Sequence, residues 1–198
     1  MIERIPAFPK PLRIPTKPNR WLDREEQLRA LLSLPAYDQP IYSFMMLTGC
    51  RVMEAAALQW EDVRKDMIVL GRTIDRRSQL QDRPKDGEAR ALPMTREIEA
   101  LFASIRRRPM VSIAGYVFLN QWGRQYSYEY LRSTWHRACD EAGLESIALK
   151  NATRHSWGMQ RVGKFDQWLL AKVLGHSDLK MTENYVQAQP EHLRVLFE

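Results

Sequence analysis

The sequence predicts a mainly α-helical domain that carries a small antiparallel β-sheet, an α+β fold. Apolar residues recur at helical spacing between cap and stop residues over most of the chain from residue 21 onward. Residues 66–94 replace this pattern with short β-branched segments and turn residues, which is typical of strands. A length of 198 residues with 44% hydrophobic residues is enough for one domain with a proper core, or for one domain plus an arm.

The first twenty residues differ in composition from the rest of the chain. Five prolines alternate there with basic residues, which disfavours a regular helix and favours an extended, semi-rigid strap. We therefore expect residues 1–20 to form a basic strap that can lie along a DNA phosphate backbone. The alternative is a flexible terminus. Residues 21–198 then form the domain, which ends in a tail from about residue 188.

The first helix is predicted from its cap and stop residues. Asp23 and Glu26 form a capping-box-like pair at its start, and Pro35 ends it. Its apolar face is predicted from three leucines, namely Leu28, Leu31 and Leu32.

Two further apolar helices, residues 41–48 and 52–58, are separated by Gly49. Arg51 lies at this break, which is an awkward place for a solvated surface residue. The structural alternative is an arginine that caps helix-end carbonyls. Glu54 is expected to pack or pair beside Arg51.

The small sheet is predicted within residues 66–94, where Gly71 forms one turn and residues 82–87 form a polar turn. Its strands cover residues 67–70, 72–75 and 90–93. Beyond the sheet, Thr95 caps one helix, and Ser127 caps another that stops at Gly143. Residues 117–119 form a short buried strand or an extended connection. Three further helical stretches are predicted at about 152–163, 166–174 and 178–187.

Charge and cysteine content narrow the classes of function. The formal net charge is +6, which favours a polyanionic partner. Cys50 and Cys139 fit neither a metal-binding spacing nor a disulfide framework, so both are predicted to be reduced thiols. No apolar run approaches the roughly 20 residues that span a bilayer, and no signal peptide is recognisable. We therefore expect a cytoplasmic protein without a membrane partner.

Two arginines and a histidine suit the binding of a phosphodiester. Arg51 and Arg154 each carry a planar, permanently charged fork that can meet two phosphate oxygens. His176 can donate a hydrogen bond to the same phosphate or move a proton near neutral pH. A histidine beside a helix break is, taken alone, more often an ordinary core residue. The arginines upstream favour the functional interpretation.

Tyr185 is the candidate nucleophile. Its hydroxyl can attack phosphorus to give a phosphotyrosyl ester, which keeps the bond energy and needs no ATP. Surrounding positive charge or a base must offset its ordinary pKa of about 10. Lys85, in the polar turn, is the candidate general acid for the leaving 5′ oxygen. No carboxylate cluster or His/Cys set has metal-ligand spacing, so we expect no metal and no cofactor.

Four short motifs occur in a fixed order along residues 21–190. Residues 48–58 read TG-x-R-x-x-E-x-x-x-L, Lys85 precedes Arg90 and Leu92-Pro93, residues 154–156 read RHS, and residues 174–177 read LGHS nine residues before Tyr185. This series resembles the catalytic domain of the tyrosine recombinases, the phage-integrase family. The resemblance implies that family's catalytic-domain fold and a catalytic set of five residues, which are Arg51, Lys85, Arg154, His176 and Tyr185.

One position departs from the family pattern. The family usually has a histidine three residues before the second arginine, where this chain has Asn151. Asn151 can still contact a phosphate oxygen but cannot carry a proton at neutral pH. His155 follows the arginine at a place that the family also often fills with histidine, so it does not replace the missing group.

The resemblance implies a site-specific DNA recombinase, or integrase, that acts on double-stranded DNA through a 3′-phosphotyrosyl intermediate. It also implies that the strap follows a core-binding domain, here absent, and that the protein forms a homotetramer on DNA, with a monomer as an alternative for this fragment. The tail residues that could dock on a neighbour, or else pack on their own domain, are Leu193, Val195, Leu196 and Phe197. The alternative functions are a type-IB-like topoisomerase and a non-catalytic DNA-binding relic.

Overall fold

The computed structural model describes residues 19–75, 77–82, 89–106 and 115–175, and it confirms the mainly α-helical fold with a small amount of antiparallel strand. Its helices are α1 (Arg24–Leu32), α2 (Gln39–Thr48), α3 (Val52–Ala57), α4 (Arg96–Arg106), α5 (Tyr128–Glu141), α6 (Ser156–Met159) and α7 (Gln167–Leu174). Its strands are β1 (Met67–Leu70), β2 (Thr73–Ile74), β3 (Leu80–Gln81) and β4 (Arg90–Pro93). Most of the strap, Lys85, His176, Tyr185, the helix predicted at 178–187 and the tail lie outside the described residues.

Local cap residues set the helix ends that the sequence predicts. The Asp23 carboxylate accepts from the backbone N–H of Glu26 at 2.8 Å, and Glu26 accepts in return from that of Asp23 at 3.1 Å. Gly49 ends α2 with a φ of 65°, in the left-handed region. Ser127 caps α5 through the backbone N–H of Tyr130 at 3.2 Å. These short-range signals set the three helix ends at which they lie.

The predicted apolar face of α1 is wrong for two of its three leucines, since only Leu31 packs against the core. Leu28 and Leu32 are 53% and 67% exposed, whereas the buried positions of this helix are Gln27 and Ala30. Gln27 faces inward because its amide donates to the carbonyl of Ala152 at 2.6 Å. A buried polar side chain that keeps its hydrogen bonds can displace leucines from the inner face of a helix.

The strands pair differently from a simple meander. β1 pairs antiparallel with β4, and β2 pairs antiparallel with β3, so the turn at Gly71 does not fold the second strand back onto the first. Ile68 lies opposite Leu92 in the first ladder, and both side chains are buried. Matching the inward side chains of β1 and β4 accounts for this register. β3 was not predicted, because the sequence around it is polar.

The second half of the chain confirms some predicted helices and changes one. α5 and α7 occupy the predicted places, and the segment around Val117 is an extended, buried connection. The helix predicted at 152–163 is instead a π-helical turn, Asn151–His155, which continues into the short α6. The backbone hydrogen bond of a π-helical turn spans five residues instead of the four of an α-helix, so the side chains on either side of the turn point in shifted directions.

The core forms around α2. Phe44 packs against Phe102 of α4 and against Phe118, with ring centroids 5.7 and 5.2 Å apart, and Tyr42 stacks on Trp135 at 5.9 Å. Cys50 and Cys139 are free, buried thiols, as predicted. Across the described parts of the chain, no helix is long and apolar enough to cross a membrane. Because α2 is fixed from several sides, the turn that leaves its C-terminal end is fixed as well.

Two glycines with the same left-handed φ offer a test of this packing. Gly49 and Gly143 both have a φ of 65°, but a Cβ on Gly49 would lie 2.9 Å from the ring of Trp157, whereas one on Gly143 would meet nothing within 4 Å. We expect Gly143→Ala to cost about 1 kcal/mol of unfolding free energy, the scale of left-handed strain. Gly49→Ala should cost about 1–3 kcal/mol more, because the ring must move. Urea unfolding of both variants makes the comparison, and equal losses would contradict the packing of Gly49 on Trp157.

Candidate active site

The first arginine motif folds into a turn that joins α2 to α3. The hydroxyl of Thr48 donates to the carbonyl of Phe44 at 2.7 Å, and it accepts from the backbone N–H of Cys50 at 3.3 Å. Gly49 then reverses the chain, so that Arg51 directly precedes the first residue of α3. Burial raises the pKa of the Cys50 thiol to about 12, so this side chain is a neutral packing group. The turn therefore presents Arg51 from a rigid, buried base.

The carboxylate of Glu54 is buried and accepts hydrogen bonds from two arginines. One oxygen accepts from Nη1 of Arg51 and from Nη1 of Arg90, both at 2.9 Å. The other accepts from the backbone N–H of Arg51 at 2.8 Å and from Nη2 of Arg90 at 2.6 Å. The predicted pairing of Glu54 with Arg51 is confirmed, and Arg90 completes it. Burial by itself raises the pKa of Glu54, but the bonds from Arg90 and Arg51 outweigh it and hold this pKa below its usual value.

Three guanidinium groups meet at the C-terminal end of α7, where they donate to three successive carbonyl oxygens. The pairs are Arg90 Nε with Val173 at 2.9 Å, Arg154 Nη2 with Leu174 at 2.5 Å, and Arg51 Nη2 with Gly175 at 3.2 Å. The last carbonyls of a helix have no partner within the helix and carry partial negative charge. The arginines satisfy both the hydrogen bonding and the charge of this helix end.

Arg154 reaches this point from the π-helical turn. Its side chain is buried, and its Nη1 donates to the carbonyl of Gly49 at 3.1 Å, so one guanidinium spans the first arginine motif and the end of α7. Trp157 follows on α6, lies against Gly49 and donates from its indole nitrogen to the carbonyl of Leu47 at 2.8 Å. The two arginine motifs are therefore packed directly on one another. π-helical turns of this kind occur frequently at functional sites.

The structure brings together two of the five predicted catalytic residues, Arg51 and Arg154. Lys85, His176 and Tyr185 lie outside the described residues, and their roles stay predictions. The described chain ends at Gly175, the residue before His176. Gly175 has a φ of 64°, in the left-handed region. Arg51 and Arg154 thus converge on the backbone that leads directly to the predicted histidine.

Asn151 and His155 begin and end the π-helical turn. Asn151 is half-buried, and its backbone carbonyl accepts from the hydroxyl of Ser156 at 2.7 Å. Nε2 of His155 lies 3.3 Å from the carbonyl oxygen of Asn19, which precedes α1 in the chain. Burial and the charge of Lys150 lower the pKa of His155, in spite of the hydrogen bond to Asn19. His155 is thus engaged with Asn19, and the inference that it does not replace the missing histidine stays a prediction.

Arg90 belongs to this site but is not among the residues predicted for it from the sequence. In the sequence, Arg90 is only a neighbour at a fixed position in the motif that contains Lys85. A usable signal was present, since the period-two alternation of a strand puts Arg90 on the same face as Leu92, which is buried. A charged residue on the inward face of a strand calls for a buried partner, which here is Glu54.

Among the described residues of the site, positive charge predominates. Arg51, Arg90 and Arg154 carry three positive charges around the carboxylate of Glu54. The side chain of Arg51 remains 28% exposed, whereas Arg90 and Arg154 are more deeply buried. In the described ranges, no group of three or more His, Cys, Asp or Glu side chains could hold a metal ion. The arrangement can bind an anion that approaches from the side of Arg51.

The low pKa of Glu54 gives a testable dependence of stability on pH. A carboxylate with a folded pKa below its usual value stabilises the fold above that value, and this stabilisation is lost as the pH falls through the folded pKa. Glu54→Gln should reduce the unfolding free energy at pH 7 by about 3 kcal/mol, because the buried Arg90 and the partly exposed Arg51 both lose their counter-charge. Below about pH 4.5 its unfolding free energy should fall less steeply than that of the wild type.

Urea unfolding between pH 3.5 and 7 measures both effects. The control is Glu129→Gln, which removes an exposed pair with Arg132 and should change stability by less than about 1 kcal/mol. Equal losses in the two variants, or identical acid limbs for wild type and Glu54→Gln, would contradict a stabilising ionised Glu54.

Known proteins share both sequence and fold with this chain. A sequence model of the phage integrase family matches residues 21–192. Tyrosine recombinase XerD of Bifidobacterium longum is 25% identical over 159 residues, which cover 79% of this chain and 51% of that protein. Tyrosine recombinase XerC 2 of Ralstonia nicotianae is 27% identical over 165 residues, which cover 80% of this chain and 45% of that protein. The chain spans about half the length of these two curated relatives.

Solved structures show the same fold. An integrase of the Tn1549 transposon in complex with a circular intermediate DNA has a TM-score of 0.77 at 19% identity, covering 94% of this chain and 67% of that one. The catalytic domain of bacteriophage HP1 integrase has a TM-score of 0.61 at 20% identity, covering 90% of this chain and 94% of that one. The two arginine motifs that meet at α7 lie within the residues that the family model matches, and this match covers most of the chain. The chain belongs to the phage integrase family.

Proposed function

We propose that this chain is the catalytic domain of a site-specific DNA recombinase, which cleaves and rejoins double-stranded DNA through a 3′-phosphotyrosyl intermediate without metal or ATP. The observation that carries the proposal is the convergence of Arg51 and Arg154, from motifs about 100 residues apart, on the adjacent carbonyls of Leu174 and Gly175. The next residue along the chain is His176, the first residue of the predicted proton-handling and nucleophilic segment. Membership of the phage integrase family supports the same reaction.

Arg51 and Arg154 are proposed to bind the nonbridging oxygens of the scissile phosphate. Their hydrogen bonds to backbone carbonyls orient both guanidinium planes before DNA arrives. Donors that are already oriented stabilise a developing negative charge without the cost of reorganising them during the reaction. Arg51, the more exposed of the two, would contact the phosphate from its open side.

The proposed covalent step exchanges one P–O bond for another. The hydroxyl oxygen of Tyr185 attacks phosphorus and its proton passes to His176 or to solvent, while the bond from phosphorus to the 5′ oxygen breaks. Lys85 donates a proton to the leaving 5′ oxygen, and His176 donates a hydrogen bond to the phosphate or relays a proton. A 5′ hydroxyl from another strand then reverses the step and restores Tyr185. No oxidant, metal or nucleotide is needed for this exchange.

Asn151 is proposed to contact a phosphate oxygen in place of the family's histidine. Its amide can donate a hydrogen bond but cannot exchange a proton. We therefore expect proton transfer to rest on Lys85 and His176, so that the substitution affects the rate of turnover rather than the type of reaction. The same residue is the observation that favours a second function, a non-catalytic DNA-binding relic.

Double-stranded DNA is the proposed partner. The net charge of +6 suits a polyanion. The related Tn1549 integrase and XerH recombinase were solved with DNA bound, which supports the same partner for this chain. A homotetramer on DNA, and a cytoplasmic location where chromosomal DNA is accessible, follow from the proposed reaction. The topoisomerase alternative would relax supercoils without pairing two sites.

Covalent trapping on nicked DNA tests the nucleophile. A duplex nicked beside the cleavage site loses the short fragment that carries the new 5′ hydroxyl, so the protein stays attached to DNA and migrates more slowly on a denaturing gel. Duplexes drawn from the DNA that flanks the gene supply the sequence. We expect attachment by the wild type, none by Tyr185→Phe, and DNA binding by that variant within a few-fold of the wild type, since only the attacking oxygen is lost.

The control for this experiment is Tyr128→Phe, which alters an exposed tyrosine of α5. Its attachment should equal that of the wild type. The neighbouring Tyr126 and Tyr130 are engaged, because their hydroxyls donate to the buried carboxylate of Asp38 at 2.7 and 2.8 Å. Attachment that survives Tyr185→Phe and disappears with Tyr128→Phe would assign the nucleophile to Tyr128. DNA binding without any attachment by the wild type would favour the relic.

Arg154 gives a second test. Arg154→Ala and Arg154→Lys should each slow single-turnover cleavage by roughly 10²–10³-fold, the scale for one lost oxyanion donor, because neither side chain can present the planar fork. Arg154→Lys keeps most of the buried volume and the charge, so it separates chemistry from folding. Arg132→Ala, which removes an exposed arginine of α5, is the matched control and should cleave at the wild-type rate. Unchanged cleavage by Arg154→Lys would remove Arg154 from the site.

A further inference from the structure

Each of the three guanidinium nitrogens of Arg90 donates a hydrogen bond within the site. Nη1 and Nη2 donate to the two oxygens of Glu54 at 2.9 and 2.6 Å, and Nε donates to the carbonyl of Val173 at 2.9 Å. Its side chain is only 11% exposed. A lysine could keep the charge here but not three directed bonds, because its donors radiate from one nitrogen. The position therefore depends on the shape of arginine, not on its charge alone.

Glu54 links Arg90 to Arg51. Each oxygen of this carboxylate accepts one bond from Arg90 and one from Arg51. Arg51 in turn donates to the carbonyl of Gly175, two residues beyond the carbonyl that Arg90 holds. The contacts close a ring that runs from Arg90 through Glu54 and Arg51 to the end of α7 and back. A displacement of Arg90 would therefore reach Arg51 by two routes.

Gly175 packs directly on Arg90. A Cβ built on Gly175 would lie 3.3 Å from Nη1 of Arg90 and 3.4 Å from its Cδ. The left-handed φ of Gly175 already favours glycine there. The flat guanidinium thus forms the surface on which the chain turns out of α7 toward His176. This contact is independent of the hydrogen bonds and places Arg90 at the same point.

We propose that Arg90 is a positioning residue for the reaction: it fixes the end of α7 and the carboxylate of Glu54, so that Arg51 and the backbone leading to His176 keep one relative placement. Its action is indirect, through Glu54 and the carbonyl of Val173. The catalytic consequence of this inference rests on the function proposed above. The structural part of the inference, that Arg90 fixes the end of α7, does not depend on that function.

The test compares Arg90→Lys with Arg72→Lys. Arg72 is a suitable control because its guanidinium group also pairs with carboxylates near the strands, and its side chain is 23% exposed. Its partners are Glu61, Asp62 and Asp82. Hydrogen exchange is followed at the backbone amides of residues 171–175. In Arg90→Lys these amides should exchange faster by about tenfold, the scale of one lost charge-assisted hydrogen bond. In Arg72→Lys they should exchange as in the wild type.

The catalytic arm uses the nicked duplexes described above at saturating concentration, well below the melting temperature of each variant. Arg90→Lys should cleave in a single turnover roughly 10–10²-fold more slowly, the scale of a small misplacement of catalytic groups, with a Kd for DNA within a few-fold of the wild type. A general loss of stability would slow cleavage and weaken DNA binding together, or would change neither. Arg72→Lys should match the wild type in both.

Each outcome decides the inference. Unchanged exchange at residues 171–175 in Arg90→Lys would overturn it, with or without catalytic activity. Faster exchange with wild-type cleavage would overturn the positioning role, and a loss confined to the Kd would make Arg90 a DNA contact instead. If the wild type forms no covalent adduct, the proposed function fails while the exchange comparison still decides whether Arg90 fixes the end of α7.

Discussion

The buried carboxylate of Glu54 is the interaction on which the site depends. Moving a carboxylate out of water costs several kcal/mol, and this cost is offset only when its hydrogen bonds are satisfied by well-placed partners. Here Arg51 and Arg90 supply those partners, together with the backbone N–H that begins α3. The fold is therefore favourable only when α3 and β4 come together with their arginines aligned. The arrangement that stabilises the buried charge is also the arrangement that orients Arg51.

The end of α7 is part of the site rather than a support for it. The last carbonyls of a helix require donors from elsewhere, and water commonly supplies them. In this protein Arg51, Arg90 and Arg154 supply them instead, at three successive residues. Cations at a helix C-terminus are favoured by the helix dipole, so these contacts are stabilising before any substrate binds. The guanidinium groups are consequently held in place by the fold itself.

The sequence predicts the parts of this structure that have local causes. The caps at Asp23 and Ser127 and the stop at Gly49 lie within a few residues of the helix ends that they set. The failures have distant causes. Leu28 and Leu32 are exposed because Gln27 finds a buried partner 125 residues away, and β1 pairs with β4 because that register matches their inward side chains. Neither contact can be predicted from a short stretch of sequence.

The same contrast between local and distant causes separates the two predicted arginines from Arg90, which was not predicted. Arg51 and Arg154 lie in motifs whose chemistry suggests a phosphate, so residue type and order were enough to select them. Arg90 lies in a strand, and its partners Glu54 and Val173 are 36 and 83 residues away. Its place on the inward face with Leu92 was readable, but the identity of the buried partner was not. A charged residue on the buried face of a strand should therefore be examined as a candidate site residue, because only a specific ionic partner makes that position stable.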